Sequence, residues 1–145
     1  GFCLVGSEMC IRDSANTLAF ENEKFKYALE VINSWRYCVD VRSAIAILWA
    51  AIESIVDVSV EISYRLSLSI SSLLSERGDE RIKKFKEIKK LYGLRSKVIH
   101  GSNLKEREIE NSLVESFKLL SEIVIYMIEN NKMLNSSDFE NAIFK

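Results

Sequence analysis

Two residues of this chain have types and spacing that could do chemistry together: Arg95 and His100, five positions apart. His100 is the only histidine in 145 residues. An imidazole near neutral pH can both accept and donate a proton, and a guanidinium keeps its charge and can grip a phosphate or carboxylate with several donors. On an ideal helix, five residues correspond to a rise of about 7.5 Å and a rotation of about 140°. The two side chains therefore do not share a face by geometry alone. They converge on one phosphate only through the length of arginine, loosening of the helix end, or a second subunit. On spacing alone, the competing reading is a capping histidine that follows a structurally paired arginine.

The stretch carrying both residues is expected to be a helix, from about Glu80 to His100. On a helical wheel Ile88, Leu91, Tyr92, Leu94, Val98 and Ile99 cover one apolar arc, and Arg95 falls at its centre. A buried guanidinium without a partner is very costly, so Arg95 must meet a carboxylate, a second subunit or a phosphate. His100 falls in the last turn, where the negative end of the helix dipole favours an imidazolium. Gly101 suits a left-handed C-cap.

The whole string Lys90-Leu91-Tyr92-Gly93-Leu94-Arg95-Ser96-Lys97-Val98-Ile99-His100-Gly101 resembles the signature helix of HEPN domains, in particular the Apea-like branch. Two upstream stretches fit the same branch: Ala46-Ile47-Leu48-Trp49-Ala50-Ala51-Ile52-Glu53 and Ile62-Ser63-Tyr64-Arg65-Leu66-Ser67-Leu68. The resemblance covers about Asp40 to Tyr126. It implies an all-α bundle of four to five helices that forms a homodimer, with the two arginine–histidine motifs meeting near the dimer axis. It further implies metal-independent cleavage of single-stranded RNA, in which the ribose 2′-hydroxyl attacks the adjacent phosphate and leaves a 2′,3′-cyclic phosphate. Carried over, His100 is the acid/base group and Arg95 neutralises the phosphate. Glu53 resembles the early acidic residue that pairs with the motif arginine, and Ser96 and Lys97 match the polar positions inside the motif. Gly93 is a departure from a good helix former and could mark a kink. Many relatives act in defence or toxin systems, while others are non-catalytic dimerisation or RNA-binding modules.

Charge adds support. From Arg77 to Arg107 there are eleven Lys or Arg against four Asp or Glu, although the chain as a whole carries a net charge of −1. This local excess would attract a phosphate backbone, with Lys90, Lys97 and Lys105 as RNA-binding candidates; a solvated lysine-rich face is the plain alternative. Tyr92, Trp35 and Trp49 read as core positions.

The elements that must position these residues are helical throughout. There is no proline and there are only five glycines, which favours long helices over a turn-rich β-fold. Apolar periodicity predicts a helix from Leu18 to about Arg36 and a second from about Val41 to Val58, capped by Asp40. From Val58 to Ile70, apolar residues alternate with polar ones, as in a strand. Helical spacing fits equally well, and nothing else in the chain could pair with such a strand, so a helix is expected. A long helix is predicted from about Lys105 to Asn130, and a last short one over Ser136–Phe144 with Ser136 or Ser137 as its cap. The result is an up-and-down bundle of four to five helices.

Residues 1–14 do not share this periodicity. The run VGSEMCIRDS looks like sequencing-adapter DNA translated in frame, so residues 15–145 are taken as the helical domain; a genuine start is the alternative. On the adapter reading, an N-terminal domain is missing. The longest apolar run, Ala44–Ile52, is far short of the roughly 20 residues a membrane helix needs. The three cysteines have neither zinc-ligand nor disulfide-scaffold spacing, so no metal or cofactor is expected, and a reducing cytoplasmic setting is the default.

Overall fold

The computed structural model describes the backbone of residues 2–145 and the side chains of residues 10–145. Gly1 and the side chain of Cys3, both in the suspected adapter segment, lie outside the described residues. Among the described residues the chain is all-helical, with seven α-helices and one short 3₁₀ turn: α1 (Phe2–Glu21), α2 (Glu23–Ser34), the 3₁₀ turn (Trp35–Tyr37), α3 (Val41–Val56), α4 (Ile62–Leu74), α5 (Asp79–Ile99), α6 (Glu106–Glu129) and α7 (Ser136–Phe144). No helix among them is long and apolar enough to cross a membrane.

The expected first helix is divided. Asn22 breaks it, because its side-chain oxygen accepts the backbone N–H of Lys24 at 3.0 Å and of Phe25 at 3.1 Å and so caps α2. Upstream, α1 crosses the junction between residues 14 and 15, and Leu18 is the one buried residue among its described side chains. Asp40 caps α3 as expected, accepting the Ser43 N–H at 2.8 Å. The alternating segment is helical: α4 starts at Ile62, after Asp57 and Glu61 take left-handed backbone angles. The cap of α5 is Gly78, and that of α7 is Asn135 rather than Ser136 or Ser137.

The core is centred on α3. Ala44, Ile45, Leu48, Trp49, Ala51, Ile52, Ile55 and Val56 are buried there, and α3 packs most extensively against α6 and α2. From α6 come Leu119, Leu120, Ile123, Val124 and Met127. Helix α4 joins this core to α5 and α7. Helix α5 packs most extensively against α4 and is largely exposed, with only Ile88 and Val98 buried. It therefore lies on the surface of the bundle, with its C-terminal half against α3.

Candidate functional site

Helix α5 crosses α3 over Trp49 and Glu53. The Trp49 indole N–H donates to Ser116 Oγ on α6 at 2.9 Å, and that hydroxyl donates to the Ser112 carbonyl at 2.6 Å. With its polar edge satisfied, Trp49 presents its ring to Tyr92, edge to face at 5.4 Å between centroids. Arg95 then lies over Tyr92, its guanidinium carbon 5.3 Å from the ring centre. Arg95 Nη2 approaches Glu53 Oε1 at 3.2 Å. Trp49, Tyr92, Arg95 and Glu53 form one chain of contacts that leads from the core to the surface.

The Arg95 and Glu53 side chains keep 22% and 28% of their exposure, so the apolar arc is interrupted by a half-buried ion pair rather than a fully buried one. Glu53 Oε1 and Arg95 Nε are both buried and lack a hydrogen-bond partner. The contact is thus an ion pair without aligned hydrogen bonds, and the guanidinium has donor capacity left over. Tyr92 is affected as well: burial first, then the neighbouring Glu53 carboxylate, raise its phenol above the ordinary tyrosine range despite the opposing effect of Arg95.

His100 is exposed and occupies the C-cap of α5. The helix ends in a Schellman arrangement: the Gly101 N–H donates to the Val98 carbonyl at 3.2 Å and the Ser102 N–H to the Lys97 carbonyl at 3.0 Å, with Gly101 at φ +72°. Only glycine takes that angle without strain. Arg42, from the first turn of α3, also donates to the Val98 carbonyl. The turn bearing His100 is thereby tied to α3 from outside its own helix. Among the described residues, no hydrogen bond joins Arg95 to His100, which matches their angular separation on the helix. Helix α5 runs unbroken through Gly93.

Of the other expected site residues, Ser96 is half-buried and its carbonyl accepts the His100 N–H at 3.0 Å. Lys97 is exposed in the last turn of α5. Lys105 is exposed at the N-cap of α6, where its N–H meets the Glu108 carboxylate at 3.2 Å. Lys90 lines a groove of about 450 Å³ between α5 and α6, away from Arg95. The fold therefore brings Arg95, Glu53 and Tyr92 together, leaves Lys97 and His100 in solvent one turn on, and separates Lys90. Sequence reasoning missed Arg42. Its signal was present: Arg42, Trp49 and Glu53 stand at i, i+7 and i+11, on one face of α3. Among the described residues, no three His, Cys, Asp or Glu side chains gather as a metal-binding group.

Fold and site together define an all-α bundle in which Arg95 of α5 forms a half-buried ion pair with Glu53 of α3 and an exposed histidine caps the same α5 helix. No family model, curated protein or solved structure matches this chain.

Proposed function

We propose that this protein is a metal-independent endoribonuclease of the HEPN type, acting on single-stranded RNA at a composite site in a cytoplasmic homodimer. The observation that carries the reading is Arg95: a half-buried guanidinium, oriented by Glu53 and Tyr92, with unused donors and on the same helix as a solvent-facing histidine. In the reaction, the ribose 2′-hydroxyl loses its proton and attacks the adjacent phosphorus. The phosphorus–5′-oxygen bond breaks, and the leaving oxygen takes up a proton. The products are a 2′,3′-cyclic phosphate and a 5′-hydroxyl. His100 transfers the protons and Arg95 offsets the charge that builds on the phosphoryl oxygens. Because the two side chains diverge on one helix, a second copy completes the site. A role as the effector of a defence or toxin system follows from the same resemblance.

The test is incubation of purified protein with single-stranded RNA in the presence of a chelator. Wild-type protein should yield fragments ending in 2′,3′-cyclic phosphate, and His100→Ala should not. No cleavage by wild type, or equal cleavage by His100→Ala, rejects the proposal. A monomer in light scattering at micromolar concentration rejects the composite site.

A second reading, a non-catalytic dimerisation or RNA-binding module, is favoured by one observation: Arg95 already has a carboxylate partner within its own chain. That reading predicts a stable dimer without RNA turnover.

A further inference from the structure

Helix α5 has an outward face that neither the core nor the Arg95 pair uses. At 100° per residue Ile82, Lys86, Lys89, Gly93, Lys97 and His100 fall within an arc of about 80°. All six are exposed. At one end, half-buried Phe85 meets Tyr64 of α4 edge to face, at 5.5 Å and 75°. Tyr64 is 51% exposed, so its ring is open to solvent beside Phe85. The Lys89 ammonium lies 5.9 Å from the centre of the Phe85 ring. At the other end stands His100, about 22 Å further along the helix axis.

Between the two ends lies Gly93. A glycine inside a helix is destabilising by about 0.5–1 kcal/mol relative to alanine, so its presence calls for a reason. Packing within the chain supplies none, because a Cβ built at Gly93 meets no heavy atom within 4 Å. What glycine provides there is bare backbone facing solvent, where a ligand can approach closely. Around it, Lys83, Lys86, Lys89, Lys90 and Lys97 form no ion pairs among the described residues. Between Arg81 and Lys105 the only acidic residue is Glu87.

We infer that the outward face of α5 is a binding track for single-stranded RNA, in which an unpaired base stacks at Tyr64 and Phe85 and the backbone runs along the lysines and over Gly93 to His100. Stacking rings, unneutralised cations and an uncovered stretch of helix are what such a strand uses, and an unpaired base is needed to reach the rings. Along Lys86, Lys89 and Lys97 a second copy of the chain packs poorly, since like lysines would oppose one another across a twofold axis, and the copy that completes the proposed site meets only the His100 end of the track. The track rests on the proposed nuclease reading only in its direction toward His100.

The experiment is fluorescence anisotropy with a labelled single-stranded RNA, using His100→Ala protein so that the strand stays intact, alongside cleavage by wild type. Gly93→Leu should weaken binding about tenfold while raising Tm, because leucine is the better helix former and meets no neighbour. A loss of affinity with a gain in stability cannot come from misfolding. Tyr64→Ala should also weaken binding about tenfold. Lys86→Ala with Lys89→Ala should reduce the slope of log affinity against log salt by about 1.4. Unchanged binding in all three proteins overturns the track, and with wild-type cleavage intact it leaves the nuclease standing. Weakened binding alongside a wild type that does not cleave keeps the track and removes the nuclease. If Gly93→Leu instead splits a dimer and leaves RNA affinity unchanged, the face is a protein contact and the inference falls.

Discussion

Glu53→Gln removes one charge from the site and almost no volume, so its effect isolates the ion pair with Arg95. At 3.2 Å, the Coulomb attraction with an effective dielectric constant of about 20 is roughly 5 kcal/mol. Most of that is offset by desolvation and by the water still reaching side chains that keep 22% and 28% of their exposure. A net coupling of about 1–2 kcal/mol remains. The clean measurement is a double-mutant cycle in urea with Glu53→Gln, Arg95→Met and the double variant, with Tm of the single Glu53 variant falling by about 3–6 °C. Single-variant effects that add to within about 0.3 kcal/mol would refute the reasoning, because the two groups would then be neighbours without being partners. Cleavage supplies the second readout. On the proposed nuclease reading Glu53 would act on the phosphate only through Arg95, so Glu53→Gln should slow turnover about tenfold. Intact coupling with undiminished turnover would mean that the pair serves the fold alone.

Gly101→Ala places a Cβ at φ +72° and should destabilise by about 1–2 kcal/mol in thermal denaturation, lowering turnover as the turn bearing His100 loosens; an unaltered Tm would show that another residue sets this turn. Tyr92→Phe tests the alkaline edge. The folded-state pKa of Tyr92 is raised, so its contribution is complete below the ordinary tyrosine pKa and is lost as pH rises through that value toward the folded one. Wild type should therefore lose stability above about pH 10 more steeply than Tyr92→Phe, and parallel denaturation midpoints would contradict this. Asp138 behaves in the opposite sense: burial works against its charge, yet the hydrogen bonds from Lys132 and the Asn135 backbone outweigh burial and lower its pKa. Its contribution is present above the ordinary aspartate range and is lost below it, so the gap between wild type and Asp138→Asn should close in acid. Trp49→Phe gives up the Ser116 hydrogen bond and core volume, and equilibrium unfolding should show a loss of about 2 kcal/mol.

The fold was legible where local chemistry and periodicity agree. Asp40 and Gly101 mark helix ends in the sequence and cap them in the structure. The division at Asn22 was masked, because Leu18, Phe25, Leu29 and Ile32 continue one helical rhythm across it. The strand-like alternation in α4 has a specific cause. Ser67, Ser69, Ser71 and Ser72 are buried, so its polar positions are not its outward ones. Ser67 Oγ donates to the Ser63 carbonyl at 2.6 Å and Ser71 Oγ to the Leu68 carbonyl at 3.2 Å, which lets those two small hydroxyls serve as core atoms. At the site, Arg95 was visible as a charge inside an apolar arc, and its partner Glu53 came from the family resemblance. The face that Arg42 shares with Trp49 and Glu53 was readable in α3, whereas its reach to the Val98 carbonyl depends on how the two helices cross.

That crossing also explains how a helix with few buried side chains can present Arg95 and His100 in fixed places. A helix sunk in the core would have Arg95 and His100 fixed but inaccessible, whereas a helix held only by apolar contact would leave them loosely placed. Helix α5 takes neither course. Along its length Ile88 and Val98 alone are buried, and its C-terminal half is secured by directional contacts: Tyr92 on Trp49, Arg95 on Glu53, and Arg42 on the Val98 carbonyl. Polar and aromatic contacts constrain geometry over a small area, so they can fix the site end of the helix while the outward face stays bare. The same economy accounts for Gly93: a residue that weakens the helix is tolerable where the contacts of Tyr92, Arg95 and the Val98 carbonyl already hold that half of α5 in place.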